Sequence, residues 1–277
     1  MYANNFKERV GSYSFHPVVL FDADKDSLLL MDFTEKNTQL TPGLLQDTDL
    51  FSQYVVRELK KAGAAYGIGG YNEHRTIYQR SQVFDGKPTA PNPSEEGTLP
   101  SHNDQLSGET ASKGNMLQSG SGTQVAPPLE EREEVEPRRL HLGIDIWGPT
   151  GTPVYAPLEG IVHSFAFNDA YGDYGATLIL QHEIDGFLFH TLYGHLSLHS
   201  IEDKKEGQEI QKGDWIAAFG EPAENGQWPP HLHFQLILDM QGKKGDYPGV
   251  CKFSERDIYL ANGPDPDLLL GMMRYAV

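Results

Sequence analysis

The sequence predicts a mainly β protein whose core is antiparallel and either a sandwich or barrel-like. From Leu140 onward, short apolar runs alternate with turns rich in Gly, Pro and Asp, and few stretches have the spacing of an amphipathic helix. Many short strands separated by such turns are typical of an all-β domain. The expected strands lie at residues 153–155, 160–165, 176–181, 187–193, 215–219 and 233–238.

Residues 1–85 are expected to form a small α/β N-terminal region before this core. Apolar runs at 18–21 and 28–33 predict two strands around an acidic turn. A helix is predicted to begin after Asp47 as N-cap, because apolar residues then recur with helical spacing until Gly63, which would end it. Residues 71–78 are expected to be extended.

Residues 86–137 differ in composition from the rest of the chain. Pro, Ser, Gly, Thr and Asn dominate and apolar residues are sparse, so this stretch cannot bury enough surface to offset its ordering entropy. We expect a disordered or loosely held insertion, whose acidic end at 130–134 is either solvated or a lid over a neighbouring cleft. Residues 138–240 would then form the β domain, and residues 241–277 a C-terminal extension that packs on the β core.

The composition limits the classes of partner. Lys and Arg total 22 against 39 Asp and Glu, giving a formal net charge of −17, so electrostatic attraction to nucleic acid or to an anionic membrane surface is not expected. The N-terminus lacks a basic start followed by an apolar run, and no segment reaches the roughly 18 to 20 apolar residues that cross a bilayer. We therefore predict a soluble, cytoplasmic protein without nucleic-acid binding or membrane insertion, while export by another route stays open.

Three short motifs place histidines and an aspartate at strand spacing. Alternate side chains of an extended strand share a face, so His141 and Asp145 point to one side, and His231 and His233 do the same on a later strand. Two such strands side by side would present imidazoles and a carboxylate to one point, which is the ligand set of a catalytic zinc site with one open position. His195 adds another imidazole between the two motifs. A second interpretation, that these are ordinary polar residues of a β domain, stays open on spacing alone.

The same residues belong to a larger ordered set of motifs. The set consists of His141-x-x-x-Asp145, Gly151-Thr-Pro-Val-Tyr-Ala-Pro157, Leu192-Tyr-Gly-His-Leu-Ser197, Gly207-x-x-Ile210-x-x-Gly213-Asp214 and His231-x-His233. In this order the motifs, which lie within residues 139–238, resemble the lysostaphin/LytM-type zinc metallopeptidases of family M23. Each motif alone is common, whereas the ordered combination is not.

The resemblance implies a fold, a cofactor and roles for individual residues. The fold is the family's β-barrel-like sandwich, with zinc bound in a groove across one sheet by His141, Asp145 and His233. His195 and His231 would be catalytic: one removes a proton from the attacking water and the pair steadies the charge of the tetrahedral intermediate, which suits imidazoles with a pKa near about 6.5. The expected reaction is hydrolysis of a peptide bond in a peptide or peptidoglycan fragment.

Three further residues are candidates for substrate binding. Segments before the first ligand edge the active-site cleft in some relatives, and on this basis Asn72 and Glu73 are predicted to contact substrate. A surface strand is the alternative explanation of this segment. Tyr193, two residues before His195, is the third candidate.

Three other functions stay open. The domain could be a non-catalytic zinc-bound module that binds peptides or cell wall or activates a partner, although all five site residues are kept. A phosphocarrier-like domain, which has a related β architecture and a histidine pair, would not need Asp145. The substrate could also lie outside peptidoglycan: residues 245–249 and 264–267 more weakly resemble family members joined to class III aminotransferase and kinase-like modules, which favours an intracellular substrate.

Overall fold

The computed structural model describes residues 2–85 and 135–277. Strands dominate this part of the chain, so the prediction of a mainly β fold is confirmed, and the barrel-like sandwich stays a prediction. The strands in the described residues are β1 (Leu28–Leu30), β2 (Tyr66–Gly69), β3 (Glu73–His74), β4 (Leu140–His141), β5 (Ile144–Trp147), β6 (Pro153–Tyr155), β7 (Gly160–Asn168), β8 (Gly175–Ile184), β9 (Phe187–Leu196), β10 (Glu209–Ile210), β11 (Trp215–Ala218), β12 (His231–Ile237) and β13 (Val250–Cys251).

The helices are short apart from one. The α-helices of the described residues are α1 (Tyr2–Val10), α2 (Pro42–Gln46), α3 (Thr48–Ala62), α4 (His199–Glu202), α5 (Arg256–Asn262) and α6 (Asp267–Leu270). Short 3-10 helices lie at Thr76–Arg80, Gln82–Asp85, Phe253–Glu255 and Met273–Tyr275. Within the same residues, no helix combines the length and the apolar composition that crossing a membrane requires.

Eight strands form one large sheet in the order β1-β2-β5-β12-β9-β8-β7-β10. Adjacent strands of this sheet are antiparallel, except for β1 and β2, which run parallel. The N-terminal segment therefore adds two strands to the sheet that the later part of the chain forms. Two smaller sheets, β11-β6 and β13-β4-β3, complete the strand pairing of the described residues.

Alternation along the central strands separates the apolar core from the polar site. Ile146, Leu232 and Phe234 are fully buried in the main core cluster. Asp145 and His233 are their neighbours in sequence, so they face the other side of the sheet. The two central strands therefore direct their polar side chains together.

Helix α3 has the bounds that its caps predict. The side chain of Asp47 accepts a hydrogen bond from the backbone N–H of Leu50, and Gly63 ends the helix in the left-handed conformation with φ 64°. Glycine takes this conformation without the steric cost that a Cβ atom brings. Phe51 and Tyr54 are buried on the inner face of the helix. The predicted helix is confirmed.

Two predictions for the N-terminal region are corrected by the structure. Residues 18–21 are not a strand: Val18 and Val19 are buried, but the segment bends, so the apolar run reflects burial rather than a strand ladder. Residues 71–78 are extended only in part, because the short strand β3 gives way to the 3-10 helix Thr76–Arg80. Most of the predicted insertion, 86–134, lies outside the described residues, as does its acidic end.

Candidate metal centre

The candidate site lies where β5 and β12 pair in the large sheet. The register sets His233 directly opposite Asp145. His141 reaches the same point from β4, although β4 belongs to a smaller sheet and the chain leaves the strand conformation at 142–143. All three side chains are buried. They are the single group of potential metal ligands found among residues 2–85 and 135–277.

Three potential ligand atoms converge at the distances that zinc needs. His141 Nε2 lies 2.9 Å from His233 Nδ1 and 3.3 Å from Asp145 Oδ1, and His233 Nδ1 lies 3.1 Å from the same oxygen. Zinc–ligand bonds of about 2.0 to 2.1 Å in a tetrahedral site separate neighbouring ligand atoms by about 3.3 Å. The three separations of 2.9, 3.1 and 3.3 Å are close to the spacing of one face of a zinc tetrahedron.

Outer hydrogen bonds decide which ring nitrogen of each ligand carries the hydrogen. The Nδ1–H of His141 donates to the carbonyl oxygen of Gly70 at 2.9 Å, which leaves a lone pair on Nε2. The amide nitrogen of Gln235 donates to the carbonyl oxygen of Pro248, so its Oε1 accepts from the Nε2–H of His233 at 3.0 Å and leaves a lone pair on Nδ1. Two nitrogen lone pairs and a carboxylate oxygen thus face one another with no hydrogen atom between them. A bound cation would remove the repulsion among these three atoms.

A buried guanidinium holds Asp145 from the opposite side. Nη1 of the fully buried Arg75 forms an ion pair with Asp145 Oδ2. Burial alone would raise the pKa of Asp145, but nearby charge, above all that of the Arg75 guanidinium, holds that pKa well below its usual range. Burial, reinforced by Arg75, lowers the pKa of His141 to about 3. At neutral pH the carboxylate is therefore ionised and the imidazole neutral, as metal binding requires.

His195 and His231 lie beside these three residues, with their ring centroids 4.1 Å apart. The Nδ1–H of His195 donates to the carbonyl oxygen of Asn225, and that of His231 to the carbonyl oxygen of Pro229, each at 2.8 Å. Both Nε2 atoms therefore carry lone pairs. Burial lowers the pKa of His231 to about 4. Burial also holds the pKa of His195 well below its usual value, and the neighbouring His231 lowers it further. Both rings are neutral bases at neutral pH.

An irregularity in β9 separates His195 from Tyr193. The Tyr193 hydroxyl lies 3.0 Å from the Thr191 hydroxyl, and its ring packs on Phe234 in the core. Strict alternation would place His195 on that core face as well. Instead the pairing of β8 with β9 shifts register beside Tyr193, and His195 takes a positive φ of 62°, which turns its side chain to the site. Tyr193, predicted to bind substrate, is fully buried and does not reach the pocket.

Asn72 and Glu73, the other predicted substrate contacts, make contacts within the protein. Asn72 Oδ1 accepts a hydrogen bond from Arg256 Nε at 2.8 Å, and Glu73 Oε2 accepts one from Arg75 Nε at 2.7 Å. Neither side chain lines the pocket described next. Their contact with substrate stays a prediction.

A pocket of about 170 Å³ opens over the site and is lined by Asp145, His195, His231 and His233. Its other walls are mostly aromatic and apolar. These walls include Ile77, Tyr78, Phe84, Trp147, Tyr174, Trp228 and Tyr247. Burial raises the pKa of one polar wall residue, Asp173, to about 6. The candidate ligands Asp145 and His233 therefore lie in a pocket with mostly apolar walls.

Sequence reasoning missed several residues that support the site. Gln235, Tyr174, Asn225 and Arg75 belong to none of the motif positions. Gln235 alone carried a signal, because it continues the alternation of His231 and His233 along one strand. The others come from distant loops that meet the site only in the folded chain.

The fold and the site together define a β domain with a candidate metal centre, in which two imidazoles and a carboxylate converge on one point beside a second histidine pair. Residues 139–246, which contain all five of these side chains, match the sequence model of Peptidase family M23. Over this part of the chain, the resemblance to the family that the motifs predict is confirmed.

Other proteins, one of them of solved structure, also resemble part of the chain. An uncharacterized metalloprotease of Haemophilus influenzae is 36% identical over 101 residues, which is 36% of this chain and 19% of that protein. The peptidoglycan DD-endopeptidase ShyA of Vibrio cholerae is 33% identical over 149 residues, covering 49% of this chain and 32% of that protein. A zinc containing peptidase of Vibrio cholerae, solved by crystallography, shares 31% identity over 36% of this chain and 28% of that chain, with a TM-score of 0.29. The match spans less than a third of each of these proteins.

Proposed function

We propose that this protein is a zinc-dependent endopeptidase that hydrolyses peptide bonds in peptidoglycan-type or other small peptides. The observation that carries the proposal is the convergence of lone pairs on His141, Asp145 and His233 at the spacing of zinc ligands. The relatives add support, since one is named a metalloprotease and another a peptidoglycan DD-endopeptidase.

The three converging residues would hold the ion, and a tetrahedral ion would keep one position free for substrate or water. A bound zinc ion supplies a Lewis acid that polarises a peptide carbonyl and lowers the pKa of a bound water to about 7. The outer partners of the ligands, Gly70 and Gln235, would keep both imidazoles in the tautomer that binds metal.

His195 and His231 would carry out the proton transfers. The Nδ1–H of each ring is committed to a backbone carbonyl, so Nε2 is free to accept a proton from the attacking water and to return it to the leaving amine. His231 Nε2 lies 4.0 Å from Asp145 Oδ1, close enough for the carboxylate to stabilise a protonated ring. Trp147 stacks on His231 at 3.9 Å between centroids and holds its plane.

The test is cleavage of defined peptides by the full chain loaded with zinc. Cross-linked muropeptides and pentaglycine are incubated with the protein before and after chelation, and the products are identified by mass spectrometry. We expect cleavage that chelation abolishes and zinc restores. Asp145→Ala is expected to lose most of the bound zinc, because it removes one of three ligands.

His195→Asn tests proton transfer separately from metal binding. Asn is chosen because it tolerates the positive φ at this position better than Ala does. We expect unchanged zinc content and a kcat at least about 100-fold lower, the usual contribution of a general base. His199→Asn, at an exposed histidine outside the pocket, is the matched control and should keep both zinc and activity.

Three outcomes would contradict parts of the proposal. Full zinc content in Asp145→Ala would remove Asp145 from the ligand set, and unchanged turnover in His195→Asn would remove His195 from the mechanism. Zinc binding without cleavage of any substrate would favour the alternative of a non-catalytic zinc-bound module.

A further inference from the structure

A segment outside the family match contributes to the candidate metal centre. The match begins at residue 139, whereas Gly70 and Arg75 lie more than sixty residues earlier and still contact two of the candidate ligands. Arg75 has no exposed surface at all. A fully buried guanidinium is costly to desolvate unless its hydrogen bonds are met, so its contacts indicate what it does.

Every contact of Arg75 holds its guanidinium in one orientation. Nη1 pairs with Asp145 Oδ2, Nε donates to Glu73 Oε2 at 2.7 Å, and Nη2 donates to the carbonyl oxygen of Gly69 at 3.0 Å. The ring of Phe33 lies under the guanidinium at 5.5 Å. Three different nitrogens are thus used, which a lysine ammonium on its single flexible stem cannot reproduce.

The two oxygens of Asp145 consequently have separate partners. Oδ1 faces His141 Nε2 at 3.3 Å and His233 Nδ1 at 3.1 Å. Oδ2 is occupied by Arg75. A metal ion at the convergence point can therefore reach one carboxylate oxygen only.

The chain around Arg75 has no room for a different arrangement. Gly70 has φ +107°, and a Cβ atom there would lie 1.7 Å from Arg75 Nη2. The carbonyl oxygen of the same glycine accepts the hydrogen bond from His141. One short stretch, 69–75, therefore orients both His141 and Asp145.

We propose that Arg75 is a positioning residue of the metal centre, which holds Asp145 so that only Oδ1 binds the ion and the ion stays four-coordinate. The inference rests on the proposed zinc site, and it extends the site to a part of the chain that the family match does not include. Without the guanidinium, Asp145 would be free to rotate and to bind through both oxygens, which would fill the position that a substrate needs.

The experiment compares Arg75→Lys with a matched control in the full chain. Arg139→Lys is the control, because Arg139 is also buried and also pairs with an aspartate, Asp85, which is not a candidate ligand. Zinc affinity is measured by competition with a chelator, and the coordination number is read from the visible absorption of the cobalt-substituted protein. Four-coordinate cobalt absorbs much more strongly than five- or six-coordinate cobalt, so a purely structural role would not change the band.

We expect Arg75→Lys to weaken zinc binding by about 10- to 100-fold, the usual effect of losing an outer partner of a ligand, and to weaken the cobalt band. Arg139→Lys should leave the zinc affinity and the cobalt band unchanged, even if it lowers the unfolding temperature as much as Arg75→Lys does. An Arg75→Lys protein with wild-type zinc affinity and an unchanged cobalt band would overturn the proposal.

A second variant covers the case in which Arg75→Lys does not fold. Glu73→Gln keeps Arg75 and Asp145 but weakens one anchor of the guanidinium, so it should shift zinc affinity and the cobalt band in the same direction by a smaller amount. Unchanged values in Glu73→Gln would then overturn the role of Arg75. Peptide cleavage by the wild-type chain is scored separately, so failure of the proposed peptidase activity is distinguishable from failure of this inference.

Discussion

Gly143 lies between the candidate ligands His141 and Asp145, and its Cα faces the ring of a third. A Cβ atom at this position would lie 2.5 Å from His233 Cε1, 2.6 Å from His233 Nε2 and 2.9 Å from the carbonyl oxygen of Phe234. The substitution Gly143→Ala adds one methyl group and no charge. It therefore tests whether the position of His233 matters for the metal centre, without changing any proposed ligand.

The size of the effect follows from these distances. Carbon atoms in contact are separated by about 3.5 to 4.0 Å, so the His233 ring or the strand beneath it would have to move by about 1 Å. Metal–ligand distances hold within about 0.2 Å, and the move would also strain the hydrogen bond from His233 Nε2–H to Gln235. We expect zinc binding to weaken at least about 100-fold, the upper end of the effect of a lost outer partner.

The assay separates the effect on metal from the effect on folding. Zinc dissociation constants are measured by chelator competition, and the free energy of unfolding by urea in the metal-free state, where overpacking of this kind costs about 1 to 3 kcal/mol. Gly43→Ala is the matched control, because a Cβ atom at Gly43 in α2 would meet nothing within 4 Å. It should leave zinc affinity unchanged.

A zinc affinity for Gly143→Ala within about threefold of wild type would refute the steric reasoning. The chain at 142–143 would then relax around the methyl group at little cost, or His233 would not be a ligand. The zinc affinity of His233→Ala distinguishes these two explanations, since this variant removes the candidate ligand itself without steric strain.

Two further predictions concern stability. Removing zinc should lower the free energy of unfolding. The expected decrease is about 2.7 kcal/mol relative to protein in free zinc at 100 times the dissociation constant. An unfolding midpoint that does not respond to chelation would argue against zinc binding to the folded state. Burial raises the pKa of Asp173 from 3.8 to about 6, so the folded state binds this proton more tightly than the unfolded state and stability falls as pH rises from about 4 to about 6, by at most about 3 kcal/mol. Asp173→Asn should lose that slope in urea titrations across this pH range, and an unchanged slope would assign it to another group.

Local patterns accounted for most of the fold. The strands from 153 onward were predicted from apolar runs and turns, and α3 from an N-cap and a terminal glycine, because these signals act within a few residues of one another. The strand predicted at 18–21 was wrong, since an apolar run reports burial but not whether a partner strand lies alongside. Partners are decided by chain segments far away in the sequence.

The sequence by itself determined the candidate residues of the site: His141, Asp145, His195, His231 and His233 stand in motifs whose order is recognisable in the sequence alone. Only the tertiary structure decided how they are presented. The left-handed backbone that turns His195 away from the core, the carbonyl groups that set each tautomer, and the guanidinium of Arg75 behind Asp145 all arise from contacts between distant segments. Side-chain type and spacing are properties of the chain, whereas tautomer, orientation and protonation depend on neighbours that folding alone brings into place.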